Sequence, residues 1–250
     1  MVDFEEARSA FTSNGFYVLR GVLNAEDLNR ISSATTALKK GAKKQSEQVL
    51  FTHTKPPKNS PPLSAIMNQW LNPHKIDGEG STREVIQKVN DIASDFFGEP
   101  MQIYQDLILC KNEVHREFPW HQDAPFWPID FSKAATFWIP LSEVNEFNGG
   151  LKFSQDYEAK KHAAVNLHTG VKQDGTPGFE PVEVYSPSLY PGDILVFSPT
   201  ILHASGTRLG AQERIAHSSV FVDMDATWNH KIAPNHPRCQ HTKHGLLVRD

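Results

Sequence analysis

The stretch Pro191-Gly192-Asp193-Ile194-Leu195-Val196-Phe197-Ser198-Pro199-Thr200-Ile201-Leu202-His203-Ala204-Ser205-Gly206 opens on a tight-turn triplet and runs at once into four consecutive apolar residues. A short uninterrupted apolar run bounded by Gly and Pro is the mark of a strand buried on both faces. Its neighbours repeat the texture: from Met101 onward, β-like runs recur at Met101–Lys111, Ala135–Leu141, Asp193–Ser198 and Ile215–Asp223, separated by turn residues. That spacing predicts a sandwich or barrel, and Gly15-Phe16-Tyr17-Val18-Leu19 offers one more strand.

The first third reads as helix. Asn24 can cap a helix running to about Lys40, with Leu28, Ile31 and Leu38 at helical spacing. Ser81 and Glu84 form a capping-box pair ahead of the stripe Val85, Ile86, Val89, Ile92, Phe96, Phe97, which stops at Gly98. Between these helices, residues 51–75 hold Pro57, Pro61, Pro62 and Pro73 and lack periodicity, so a long loop of the kind that forms lids is expected. Helices first and strands afterwards disfavour alternating βαβ units, and no Gly-x-Gly-x-x-Gly or phosphate loop is present. The expected organisation is one domain over 1–250, mainly β: helical decoration about 24–98 packed on the sheet, a jelly-roll core about 101–223, and a tail 224–250.

Composition narrows the function classes. With 250 residues, 39% hydrophobic and 22% charged, the chain has the makeup of a globular protein. A net charge of −4 and a pI near 6.3 argue against nucleic-acid partners and anionic membranes. No apolar run reaches spanning length and the N-terminus is acidic, so a cytoplasmic protein is expected. Two cysteines fit a reducing compartment, and twelve histidines favour a metal site.

Trp120-His121-Gln122-Asp123 places an imidazole and a carboxylate two residues apart, hence on one face of an extended segment. Roughly 0.7 such pairs are expected by chance in a chain of this makeup, so the motif needs its context. His203, just past a buried strand, is where a jelly roll can return a second imidazole to the first pair. Two histidines and one carboxylate leave coordination positions of an iron(II) open, as oxygen chemistry requires. Arg214, eleven residues further on, starts the last strand; a buried arginine there is either solvent-facing or committed to an anion. Ser205 could add a hydrogen bond to the same group.

The ordered set Trp120-His121-Gln122-Asp123, Phe137-Trp138-Ile139-Pro140-Leu141, Asn148-Gly149-Gly150-Leu151, Pro191-Gly192-Asp193, His203-Ala204-Ser205-Gly206 and Arg214 resembles the phytanoyl-CoA dioxygenase family of iron(II)- and 2-oxoglutarate-dependent oxygenases. The resemblance covers nearly the whole chain. It implies a cupin-like double-stranded β-helix, iron(II) on His121, Asp123 and His203, and O₂ as second cosubstrate. It also implies the distal 2-oxoglutarate carboxylate on Arg214 and Ser205, with Trp138 lining that pocket. A narrower similarity to the ectoine hydroxylase branch implies substrate contacts from Tyr104-Gln105 and Trp127, beside Phe126, and puts Lys111 at a commonly basic position. Leu107 and Leu109 stand where that branch has arginine and asparagine, which argues against an ectoine substrate and removes one 2-oxoglutarate contact. Ser154-Gln155-Asp156-Tyr157 replaces the family's usual Gly-Ser-His.

Other features have plainer readings. His217 falls on the face of its strand opposite Arg214, Ala216 and Ser218. Cys110 reads as inert packing, and Lys39, Lys40, Lys43 and Lys44 as the solvated end of a helix and its loop. His236, Cys239, His241 and His244 have zinc-ligand chemistry but lie in a tail expected to be solvated or to cover the active site. The leading expectation is oxidation of a free small molecule, most simply C–H hydroxylation releasing succinate and CO₂. The alternatives are desaturation, cyclisation, epimerisation or demethylation with the same cofactors, a non-catalytic jelly-roll module, and, weakest, a zinc hydrolase.

Overall fold

The computed structural model describes residues 2–41, 68–71, 81–112, 116–158, 164–165, 167, 170–172, 178–209 and 212–249. Three helices, α1 (Phe4–Asn14), α2 (Ala25–Gly41) and α3 (Ser81–Phe97), accompany a mainly β body. Helix α1 was not anticipated; its signal is Asp3, whose carboxylate accepts from the amides of Glu5 and Glu6, and Gly15, which closes it at φ 76°. Helix α2 starts on a reciprocal cap, Asn24 and Asp27 each accepting the other's amide at 2.9 Å.

The strands are β1 (Phe16–Leu19), β2 (Asn68–Leu71), β3 (Met101–Lys111), β4 (Phe118–His121), β5 (Ile129–Asp130), β6 (Ala134–Pro140), β7 (Leu151–Ser154), β8 (Val184–Tyr185), β9 (Ile194–Phe197), β10 (His203–Ser205), β11 (Arg214–Asp223) and β12 (Thr227–Trp228). The larger sheet runs β1-β9-β6-β11-β3-β2, the smaller β4-β10-β7-β8, and β12 pairs β5. This is a two-sheet jelly roll, as the sequence predicts. One expectation needs correction: part of the predicted loop 51–75 is strand, Asn68–Leu71 pairing antiparallel with Cys110–Leu107. The rest of that loop, with Lys43 and Lys44, lies outside the described residues.

Alternation explains why the central strands read as continuous apolar runs. Along β6, Ala135, Phe137 and Ile139 face Ala7, Ile31, Val89 and Phe96 of the helices, while Trp138 faces the interior with Leu195 and Phe153. Both faces are covered, so neither tolerates polar residues without a purpose. The turn Pro191-Gly192-Asp193 ties the sheet edge together: the Asp193 carboxylate accepts from Arg20 Nη1 (2.7 Å), Gly21 N (3.0 Å) and Tyr190 N (3.0 Å). Gly192, at φ 102°, sits so close to Leu23 that a Cβ would lie 3.0 Å from its carbonyl oxygen.

Candidate active site

Strand β10 pairs antiparallel with β4, and the register sets His203 directly against His121. Asp123 follows at the start of a 3₁₀ turn, Ala124–Phe126. His121 Nε2 lies 3.5 Å and His203 Nε2 3.7 Å from the same Asp123 oxygen, and the two imidazole centroids are 4.2 Å apart. The three ligand atoms fall within 4.8 Å of one another, a spacing that one metal ion can bridge. Each imidazole is oriented by backbone: Nδ1 of His121 meets the Pro119 carbonyl at 2.8 Å, and that of His203 the Ile201 carbonyl at 3.1 Å. A carbonyl only accepts, so Nδ1 carries the proton and the Nε2 lone pair is presented to the cluster.

The electrostatics fit a metal ligand set. Burial, with His121 adding to it, drives His203 down to about 4, so its ring is neutral near neutral pH. Burial works to raise the Asp123 carboxyl, but His203, His121 and the Thr136 hydroxyl outweigh it and hold the group below its ordinary value.

A cavity of about 750 Å³, counted out to its mouth, surrounds the cluster. Toward its closed end it is lined by Trp138, Leu109, Ser205 and Ser218. Behind them stand Arg214 and Lys111, paired in register across β11 and β3 and both fully enclosed. The Arg214 guanidinium carbon lies 5.4 Å from the Trp138 ring centroid. Arg214 Nε and Trp138 Nε1 are buried without a hydrogen-bond partner. Lys111 Nζ donates to Ser205 Oγ (2.9 Å) and to the Gly206 carbonyl (2.7 Å). Burial pushes Arg214 down to about 10, and burial followed by the Arg214 charge pushes Lys111 down to about 7. Neither cation forms an ion pair among the described residues, so a carboxylate is the complement this end lacks.

The other end is apolar. Phe118, Phe126, Trp127, Leu107, Leu167 and Val220 line it, with Gln105 as a polar contributor. A bulge in β3, where Val220 pairs with Gln105 and Phe221 with Ile103, leaves Tyr104 unpaired. Tyr104 thereby joins the cluster holding Trp127 and Trp228, while Gln105 lines the cavity. The C-terminal segment buttresses this wall: β12 pairs β5, Asn229 N donates to Pro128 O at 2.7 Å, and Val248 is buried. Arg238 donates to the Tyr104 carbonyl at 2.8 Å with its guanidinium 4.5 Å from that ring's centroid. The tail is therefore docked wall, not a solvated end, and its histidines and Cys239 assemble no metal-ligand group among the described residues.

The structure thus gathers His121, Asp123, His203, Ser205, Trp138, Gln105, Phe126 and Trp127 around one cavity, with Arg214 behind its end. The sequence reading left Lys111 outside the site set and missed Thr136 and Ser218. Lys111 had a legible signal, a lysine closing an otherwise apolar strand. His217 faces away, as predicted, in a buried pair with Asp106 at 3.0 Å. Cys110 is packing, its thiol pushed up to about 12 by burial.

A metal cluster of two histidines and one carboxylate, set in a jelly roll beside an unpaired cationic chamber, defines an iron- and 2-oxoglutarate-dependent oxygenase. The phytanoyl-CoA dioxygenase (PhyH) family model matches residues 11–216, and the chain belongs to that family. A curated relative, "Probable alpha-ketoglutarate-dependent hypophosphite dioxygenase" of Stutzerimonas stutzeri, is 22% identical over 171 residues; the match covers 67% of this chain but 58% of that protein. Among solved structures, the non-heme alpha-ketoglutarate-dependent carbocyclase SnoK from nogalamycin biosynthesis superposes with TM-score 0.78 at 17% identity, covering 98% of this chain and 93% of SnoK. The epimerase SnoN from the same biosynthesis gives TM-score 0.76 at 16% identity, with 99% and 95% covered. No helix among the described residues is long and apolar enough to cross a membrane.

Proposed function

We propose that this oxygenase oxidises a free, uncharged small molecule with an apolar ring portion, most simply by hydroxylating an unactivated C–H bond. In this reading His121, Asp123 and His203 hold iron(II). Arg214 and Ser205 take the distal carboxylate of 2-oxoglutarate, with Lys111 behind the serine and Trp138 as the chamber wall. When bound, iron and 2-oxoglutarate supply the oxidation with O₂, 2-oxoglutarate leaving as succinate and CO₂. The chain's own residues bind, orient and exclude water: Phe126 and Trp127 present flat apolar surface, and the Gln105 carboxamide can give or take a hydrogen bond to fix a polar substituent.

The carrying observation is the lining of the substrate end, which among the described residues offers no cation or anion beyond the metal ligands. A small oxyanion such as hypophosphite would be desolvated there without a partner, so the relative's substrate does not transfer to this chain. A CoA thioester would need several phosphate contacts; Lys39 is already paired with Glu213 and Lys40 is exposed on α2.

The test is substrate-dependent succinate release across neutral ring compounds, matched free acids and their CoA thioesters. Stimulation by the neutral set supports the proposal; stimulation by thioesters or oxyanions alone refutes it. The product mass separates hydroxylation, one oxygen gained, from desaturation or cyclisation, two hydrogens lost, and from epimerisation, no change.

A further inference from the structure

At the closed end of the cavity stands a third buried cation, which the single distal carboxylate of 2-oxoglutarate does not need to touch. Lys111, Arg208 and Arg214 are 0%, 6% and 1% exposed, and none is ion-paired among the described residues. Lys111 is engaged with Ser205 and Gly206, and Arg214 lies against Trp138. Arg208 has almost nothing: its Nε is buried without a partner, and Nη1 reaches the Asn148 carbonyl only at 3.5 Å, the outer limit of a hydrogen bond. Its place is fixed by backbone. Arg208 bridges Asn148, and Gly149 lets the side chains close in, since a Cβ there would lie 3.3 Å from Lys111 Cδ and 3.7 Å from Arg208 Cβ. The charge of Arg208 is felt at Arg214, whose proton affinity it lowers.

Like charges buried together oppose the ligand-free fold, and an anion arriving among them reverses the sign of the interaction. We infer that Arg208 is a positioning and affinity residue of the cosubstrate site: without touching 2-oxoglutarate, its field tightens the hold on the distal carboxylate at the expense of ligand-free stability. The inference rests on the reading that Arg214 and Ser205 receive that carboxylate.

The probe is N-oxalylglycine, a non-oxidisable analogue of 2-oxoglutarate, titrated calorimetrically into the zinc-loaded full chain at low and high salt. Arg208→Gln should weaken binding about tenfold and flatten its salt dependence, whereas Arg208→Lys should stay within about threefold of the parent. The ligand-free melting temperature of Arg208→Gln should be equal to the parent's or higher. Unchanged affinity in Arg208→Gln, a loss that lysine does not rescue, or a lowered melting temperature would each overturn the inference and make Arg208 a brace for the Asn148 turn. Arg214→Met is the control. If it binds the probe like the parent, the cosubstrate reading itself has failed and the inference falls with it; if it weakens binding while Arg208→Gln does not, only the inference falls.

Discussion

The two ends of the cavity place their polarity in opposite ways. The closed end keeps Lys111 and Arg214 on adjacent central strands, locked in register and enclosed without a counter-ion. The open end is aromatic and nearly free of charge, and its wall comes from the 118–131 segment held down by the C-terminal tail. The requirement shared by every turnover is thus built into the strands that nucleate the sheet, and the requirement peculiar to one substrate is carried by peripheral segments that can change without disturbing it.

The largest effects should come from the metal cluster between the two ends. His121→Ala, Asp123→Ala and His203→Ala should each abolish turnover and iron retention while circular dichroism stays that of the parent; near-normal iron content in any of them would remove that residue from the ligand set. Next comes the closed end. Arg214→Ala removes the unpaired guanidinium that awaits the carboxylate, and losing one partner of a buried charge-assisted pair costs about 2–5 kcal/mol. The 2-oxoglutarate concentration for half-maximal rate should therefore rise by one to several orders of magnitude with iron binding little altered. If it does not move, Lys111 is the anchor.

Legibility in the sequence divides along the same line. The closed end could be read because buried strands leave a polar residue no neutral explanation: Arg214 and His203 interrupt apolar runs, and Asp123 sits beside Trp120-His121. Lys111 obeys that logic too, at the end of β3 opposite Arg214. The open end was legible only in part. Phe126 and Trp127 stand out, but the bulge that frees Tyr104 arises from strand pairing and leaves no mark in local composition. The docked tail looked like a solvated end because its contacts are long-range: Thr227 and Trp228 find their partners in β5, nearly a hundred residues away. Strand β2 was hidden for the same reason, since Asn68–Leu71 is ordered by pairing with β3 rather than by any alternation of its own.

The open end should respond more mildly and more selectively. Gln105→Leu keeps the volume of the side chain and removes its hydrogen bonds, so substrate KM should rise about tenfold, the worth of roughly 1–1.5 kcal/mol for one such bond, with the 2-oxoglutarate KM unchanged. Equal shifts in both constants would mean that the two ends are not separable. Trp127→Ala is a poorer probe, because truncating a buried aromatic costs about 3–5 kcal/mol of stability and confounds the reading.

The smallest effect is a proton at the closed end. Burial and then the Arg214 charge lower Lys111 from the ordinary 10.5 to about 7. An anion in the chamber favours the charged amine, so cosubstrate binding above pH 7 should take up a proton, and affinity should fall as pH rises from about 7 toward 10. Ligand-free stability should move the other way. The unfolded chain binds more protons than the native one between about 7 and 10.5, so this group raises stability as pH increases through that window. Lys111→Met should flatten both slopes, and calorimetric titration of N-oxalylglycine in buffers of different ionisation enthalpy measures the proton directly. Proton uptake that persists in Lys111→Met would assign the titration to another group and leave Lys111 a fixed charge alongside Arg214.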